Sequence, residues 1–219
     1  MTVNPLFSDE DRSPVKEHVY RHTHPFVRGM KDVLRLVNKH QPRTVLDVGS
    51  PLAQNVAVSY LADLTMLDVR VLEDKALGLN VIQGSACAIP FPDKSQELVT
   101  SLWVMCHVGD GRYGDVLELD GDKKMLQEVH RVLRSDGLAV LGIGPMDEAP
   151  GLIFNVQRIY SWPWIEALFK EVGFVLLEKG EYPISKDMFI EHHWQEEDAM
   201  VMRISGGVYG FAVLQKASS

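Results

Sequence analysis

The apolar positions of the chain fall into two rhythms that take turns along it. Short apolar runs at 44–48, 64–69, 80–82, 97–104 and 138–144 have the length and bulk of buried strands. Between them, apolar residues recur at helical spacing. Val27, Met30, Val33, Leu34 and Val37 predict one apolar face on a helix that Pro42 closes. A turn and a helix over 53–61 separate the first two strands. Met125, Leu126, Val129, Val132 and Leu133 line one face of a helix over 121–134, and the Ser-Asp-Gly that follows predicts a stop with Gly137 as the C-terminal cap. Another helix is predicted within 161–174, capped by Ser161, with Pro163 in its first turn and Gly173 ending it. Two strands close the pattern, 174–182 and 207–216, with no clear helix between them and a long irregular connection over 183–206. Residues 1–13 are polar, and a broken helical region over 14–40 is interrupted at His24 and Pro25.

Strands alternating with helices predict an α/β fold, a doubly wound and mostly parallel sheet with helices on both faces. The helix-free ending predicts seven strands with the C-terminal one antiparallel. At 219 residues, 46% of them hydrophobic, the chain is read as one domain, a helical cap over 1–40 on a Rossmann-like core over 43–219.

Charge narrows the partners. The formal net charge is −8, and Lys123–Lys124 is the longest basic pair. Such a surface repels phosphate backbones, so no nucleic-acid partner is expected. No apolar run approaches the roughly 20 residues of a membrane span, and the start of the chain lacks the basic-then-apolar order of a signal peptide. Cys87 and Cys106 have no metal-ligand spacing and read as reduced core thiols, so a cytoplasmic location and no metal are expected. A homodimer is compatible with all of this.

The chemistry begins at the turn after the first strand. An acid and a glycine, Asp47 and Gly49, stand where a nucleotide-binding loop starts, but Ser50, Pro51 and Leu52 fill the places of the usual glycines. A second acid, Asp68, ends the second strand 21 residues after Asp47. Dinucleotide folds place a ribose-binding acid about 20 residues on. After the fourth strand comes Cys-His-Val-Gly-Asp-Gly-Arg-Tyr-Gly-Asp, 106–115, a loop rich in glycine and acid. His107 sits there at the carboxyl edge of the sheet, where open α/β folds place their ligands. A neutral imidazole at that place can take a proton from a hydroxyl or amine.

Four stretches together resemble the class I S-adenosylmethionine (SAM)-dependent methyltransferases: "VLDVGS", "MLDVR", "GSACAIPFPDKSQELVTSLWV" and "LQEVHRVLRSDGLAVLGIG". The loop 106–115 further resembles a poorly characterised branch of that superfamily. The resemblance implies SAM, or its product S-adenosylhomocysteine, along the strand ends. Asp47, Gly49 and Ser50 would lie near the amino-acid part, Asp68 at the ribose, and Gly84, Ser85 and Ala86 by the adenine, with Trp103 also in contact. SAM has no phosphate, so its carboxylate and ammonium ask less of the first turn than a nucleotide does. N–H groups near Ala53 and Gln54, at the start of the next helix, are placed to meet the carboxylate. The function implied is methyl transfer to a small-molecule acceptor at oxygen. His107 would be the base, Asp110 its orienting group or the base itself, and Arg112 and Tyr113 the hold on an anionic or hydroxylated acceptor.

Plainer readings stand beside these. Asp47 also suits a cap for the following helix, Asp68 a solvated turn, His107 a hydrogen-bonded loop histidine. Trp162 and Trp164 read as packing residues, and His192 and His193, adjacent in sequence, point different ways. The alternative function is a methyltransferase-like scaffold whose cofactor pocket has degenerated.

Overall fold

The computed structural model describes residues 25–70, 78–183 and 207–217. Helix α1 (Pro25–His40) leads into strand β1 (Thr44–Val48), helix α2 (Leu52–Ser59), β2 (Asp63–Asp68), β3 (Asn80–Gln83) and β4 (Gln96–Leu102). A 3-10 turn (Met105–His107), helix α3 (Gly121–Val132) and β5 (Leu133–Pro145) follow. Next come a small hairpin of β6 (Gly151–Ile153) and β7 (Gln157–Ile159), helix α4 (Trp162–Val172), β8 (Phe174–Pro183) and β9 (Val208–Lys216). The main sheet has seven strands in the order β3-β2-β1-β4-β5-β9-β8. Strands β1 to β5 pair in parallel, and β9 runs antiparallel to both β5 and β8. This is the expected architecture of a mostly parallel seven-stranded sheet with an antiparallel C-terminal strand.

The strands form where they do because both faces of the sheet are covered. Side chains on a strand alternate in direction. Val45 accordingly packs with Val33, Leu36, Val37 and Val58 on one face, while Leu46 and Val48 pack with Met125, Leu126, Val129 and Phe169 on the other. Among the described residues no helix is long and apolar enough to cross a membrane. The expected helix over 14–24 and the connection over 184–206 lie outside the described residues, as do His192 and His193.

One sequence expectation needs correcting here. Helix α3 stops at Val132, and β5 starts at once at Leu133, so Gly137 is a strand residue and no helix cap. Asp136 takes the left-handed turn instead, at φ 68°. The junction is secured from the far end of the chain: Lys216 Nζ donates to the carbonyls of His130 and Leu133 at 2.6 and 2.8 Å, in the manner of a basic residue capping a helix C-terminus. The hairpin β6–β7 was not legible, because its strands are only three residues each. Helix α4 does end as expected. Gly173 sits at φ 100° and its N–H bonds the Lys170 carbonyl at 3.1 Å.

Candidate active site

Strand order reverses on either side of β1, since β2 and β4 both pair with it. Open α/β sheets leave a crevice at the carboxyl ends of such strands. A cavity of about 780 Å³ lies there, lined from the end of β1 (Val48 to Leu52), the end of β2 (Met66 to Arg70), the segment 84–88, and the chain after β4.

The turn after β1 is built around Asp47. Its parity on the strand matches Val45, so it points to the α2 face of the sheet and away from the cavity. It is fully buried and accepts from Ser50 N (2.9 Å), Gln54 Nε2 (3.0 Å), Asn55 Nδ2 (3.0 Å) and Thr100 Oγ1 (2.6 Å). Burial pushes the Asp47 carboxyl above its ordinary pKa, against the pull of these donors. Asp47 therefore does not line the cavity, and the expected meeting with a cofactor ammonium has no geometric support. It holds the turn in place. Gly49 and Ser50 do face the cavity. Gly49 sits at φ 70°, where its N–H bonds the Leu67 carbonyl at 2.8 Å and a Cβ would lie 3.0 Å from Val104. Ser50 Oγ accepts from Leu102 N at 2.8 Å, tying the ends of β1 and β4. Gln54 spends its N–H on the Pro51 carbonyl at 3.1 Å, so it is not the free donor the sequence suggests.

Asp68 ends β2 with its side chain at the cavity wall, 4% exposed. Arg70, two residues on, grips it: N and Nε reach Oδ1 at 2.8 and 2.9 Å, and Nη2 reaches Oδ2 at 2.7 Å. Gly84, Ser85 and Ala86 line the same end of the cavity, where Ser85 Oγ accepts from Cys87 N at 3.1 Å. Trp103 follows β4 in the left-handed region, at φ 57°. It lines the cavity, but its ring is mostly packed, 6.2 Å from the Tyr182 ring and 6.5 Å from that of Tyr209. A Cβ at Gly29 would meet it at 2.5 Å, so α1 closes over it.

Residues of the loop 106–115 also line the cavity. His107 Nδ1 lies 2.7 Å from the Val156 carbonyl oxygen, which can only accept, so this nitrogen carries a proton. Asp110 Oδ2 is 3.6 Å from the same nitrogen. Burial disfavours the imidazolium, but the Cys106 sulfur and the Asp110 carboxylate outweigh it and hold the His107 pKa well above its ordinary value. The expectation of a ring titrating near neutrality is thus corrected upward. Asp110 is corrected as well. Its side chain is fully buried and does not line the cavity, and Oδ1 accepts Arg112 N at 2.9 Å. It orients His107 and the loop, and is no base for a bound acceptor. Arg112 and Tyr113 both line the cavity. The Tyr113 ring meets His107 edge-on at 5.4 Å, and the Arg70 and Arg112 guanidinium carbons stand 5.5 and 5.8 Å from its centroid.

Sequence reasoning passed over what holds this loop. Arg158 on β7 is 5% exposed. It donates to the Val108 carbonyl, to the Glu118 carbonyl at 3.0 Å and to the Leu119 carbonyl at 3.3 Å, while its Nε lies 3.6 Å from Asp122. Tyr160 completes the cluster, its hydroxyl 3.2 Å from Asp122 Oδ2. No sequence signal marks Arg158, since the hairpin that carries it is itself too short to read. Gly109 is the other requirement. It sits at φ 80°, and a Cβ would stand 2.3 Å from the Glu118 carbonyl oxygen. A Gly109→Ala protein is expected to lose about 1–3 kcal/mol of stability from backbone strain; an unchanged denaturation midpoint would show that the loop can yield.

Cys87 is half-buried at the cavity edge, where burial pushes its thiol up, and Cys106 is buried; both are free. Trp164 stacks on Tyr160 at 5.2 Å, and Trp162 donates to Glu181 at 2.6 Å, both packing roles. Among the described residues no group of acidic, histidine or cysteine side chains is placed to hold a metal.

Residues 47–141 match the family model described as "Methyltransferase domain". The fold is similar to that of the YcgJ protein from Bacillus subtilis, at 15% identity and a TM-score of 0.63 over 88% of this chain and 100% of that one. It is similar to the 1,6-didemethyltoxoflavin-N1-methyltransferase of Burkholderia thailandensis, solved with 1,6-didemethyltoxoflavin and S-adenosylhomocysteine, at 13% identity and a TM-score of 0.64 over 99% and 93% of the two chains. A third likeness is to the O-methyltransferase of a trans-AT PKS multienzyme from Brevibacillus brevis, solved with S-adenosylhomocysteine, at 17% identity and a TM-score of 0.61 over 98% and 81%. No curated protein matches the chain by sequence.

Proposed function

We propose that the chain, whose residues 47–141 match the methyltransferase-domain model, is a class I SAM-dependent methyltransferase that transfers a methyl group from SAM to an oxygen atom of a small-molecule acceptor. The carrying observation is a nearly buried carboxylate, Asp68, at the end of β2 on the wall of a cavity at the sheet's switch point. That volume lies within the usual range for small-molecule sites. The residues fit the cofactor. Asp68 offers acceptors for a ribose diol, Gly49 gives a close backbone approach, and Ser85 and Ala86 line the cavity on the Asp68 side. Bound SAM supplies an electrophilic methyl on a sulfonium.

The chain's own residues do the rest. The strand ends fix the cofactor half, and the loop 106–115 fixes the acceptor half. Alignment of nucleophile and methyl is the main source of rate in an in-line displacement. His107 faces the cavity with its Nδ1 held on Val156, which leaves Nε2 for the acceptor's proton. Arg112 and Tyr113 hold an acceptor bearing an anion or hydroxyl. Neighbours of the same fold include an O-methyltransferase and an enzyme solved with its small-molecule substrate, which supports this acceptor class.

Calorimetric titration with S-adenosylhomocysteine tests the reading. Wild type should bind. Asp68→Ala should bind roughly 10- to 150-fold more weakly, the equivalent of a charge-assisted hydrogen bond worth about 1.5–3 kcal/mol. Equal affinity in the two proteins would displace Asp68 from the site. No binding by wild type would favour the degenerate-pocket scaffold.

A further inference from the structure

We infer that Arg70 is an affinity-setting residue that occupies the ribose carboxylate until the ribose diol displaces it, and that Tyr113 receives the displaced guanidinium. The inference rests on the functional reading above. A carboxylate has about four lone-pair positions, two on each oxygen. On Asp68, Oδ1 is filled by Arg70 N at 2.8 Å and Nε at 2.9 Å, while Oδ2 takes Nη2 at 2.7 Å and keeps one position open. A vicinal diol forks onto a carboxylate with one hydroxyl on each oxygen. Oδ1 has no room for it, so the Nε contact must break. Asp68 has little other surface to offer, because its side chain is 3% exposed against 50% for Arg70.

The guanidinium has somewhere to go. Its carbon already stands 5.5 Å from the Tyr113 centroid, within cation–π range. Tyr113 lines the acceptor half of the cavity and touches His107 edge-on at 5.4 Å. Displacement therefore carries a positive charge from the cofactor wall toward the acceptor wall. Loading of the first half changes the electrostatics of the second.

Titration with S-adenosylhomocysteine of wild type, Arg70→Ala, Arg70→Lys, Tyr113→Leu and the double variant Arg70→Ala/Tyr113→Leu tests this. Removing the competitor should tighten binding about two- to tenfold in Arg70→Ala, on the scale of a half-exposed bidentate ion pair. Arg70→Lys, a single point donor, should fall between. Raising salt screens the ion pair, so wild-type affinity should rise with ionic strength while that of Arg70→Ala stays flat. A merely structural arginine would not give that difference. Tyr113→Leu should weaken binding more in the Arg70 protein than in the Arg70→Ala background, which isolates the pair from any direct contact of Tyr113 with the ligand. Unchanged or weaker binding by Arg70→Ala overturns the competition, and equal Tyr113→Leu effects in both backgrounds overturn the transfer; neither touches the cofactor assignment. Failure of wild type to bind overturns both readings together.

Discussion

An Arg158→Ala protein is expected to unfold about 3–5 kcal/mol more readily than wild type, the cost of breaking a buried ion pair by removing one partner. Three consequences converge on that figure. The Val108 carbonyl within the loop 106–115 and the Glu118 and Leu119 carbonyls beyond it lose a common donor. Asp122, 3% exposed, is left in the core without its cationic partner, with the Tyr160 hydroxyl and the Lys123 N–H still bonded to it. Burial already pushes the Asp122 carboxyl up, and Arg158 is the main force opposing that, so the variant's Asp122 should protonate at still higher pH. Chemical denaturation followed by circular dichroism gives the number. Arg158→Lys should recover only part of it, since an ammonium cannot present a planar fork to three carbonyls. A loss below about 1 kcal/mol in Arg158→Ala, the scale of an ordinary surface pair, would mean that the loop is held by its internal bonds, such as Gly109 N to Asp115 Oδ2 at 2.6 Å.

Replacing His107 by alanine should lower methyl transfer to an identified acceptor about 10²–10⁴-fold, the usual contribution of a positioned general base. S-adenosylhomocysteine affinity should stay nearly constant. The pH profile carries more information than the single rate. A base works only as the neutral ring, and the His107 pKa is held well above its ordinary value. The rate limb should therefore rise with pH and be centred above about 6.5, the unperturbed histidine value. Stability runs the other way. A raised folded-state pKa means the folded protein binds the proton more tightly, so the stabilisation is complete below about pH 6.5 and disappears as pH climbs through the folded value. His107→Ala should flatten both dependences. Should the variant keep the wild-type rate and profile, His107 is only the anchor that its bond to Val156 makes it.

The alternation of strands and helices was legible because the sheet is buried on both faces. The central strands then carry mostly apolar residues, while the edge strand β8 alternates buried and exposed positions, and the covering helices show apolar stripes. Individual site residues were legible only to the extent that position along the chain fixes direction. Asp68 and the segment 84–86 end or follow strands and fall on the cavity for that reason. Asp47 occupies an equally suggestive place, yet Gln54, Asn55 and Thr100 converge on it from two other elements. Its parity with Val45 is a signal that a period-two reading could have used. Arg70 and Arg158 left no comparable trace. What they do depends on a carboxylate two residues away in one case and on three distant carbonyls in the other, and neither relation has a periodicity.

The place of β9 in the sheet has a consequence for how the chain is made. It follows β8 in the chain, yet it lies between β5 and β8 and bonds to both. Until residues 208–216 emerge, β5 and β8 each present an unsatisfied backbone edge, the feature that invites intermolecular pairing. The same stretch brings Lys216 to the junction of α3 and β5. Synthesis halted after β8 but short of residue 208 thus leaves both of those edges open, and such nascent chains are clients for chaperones and proteases.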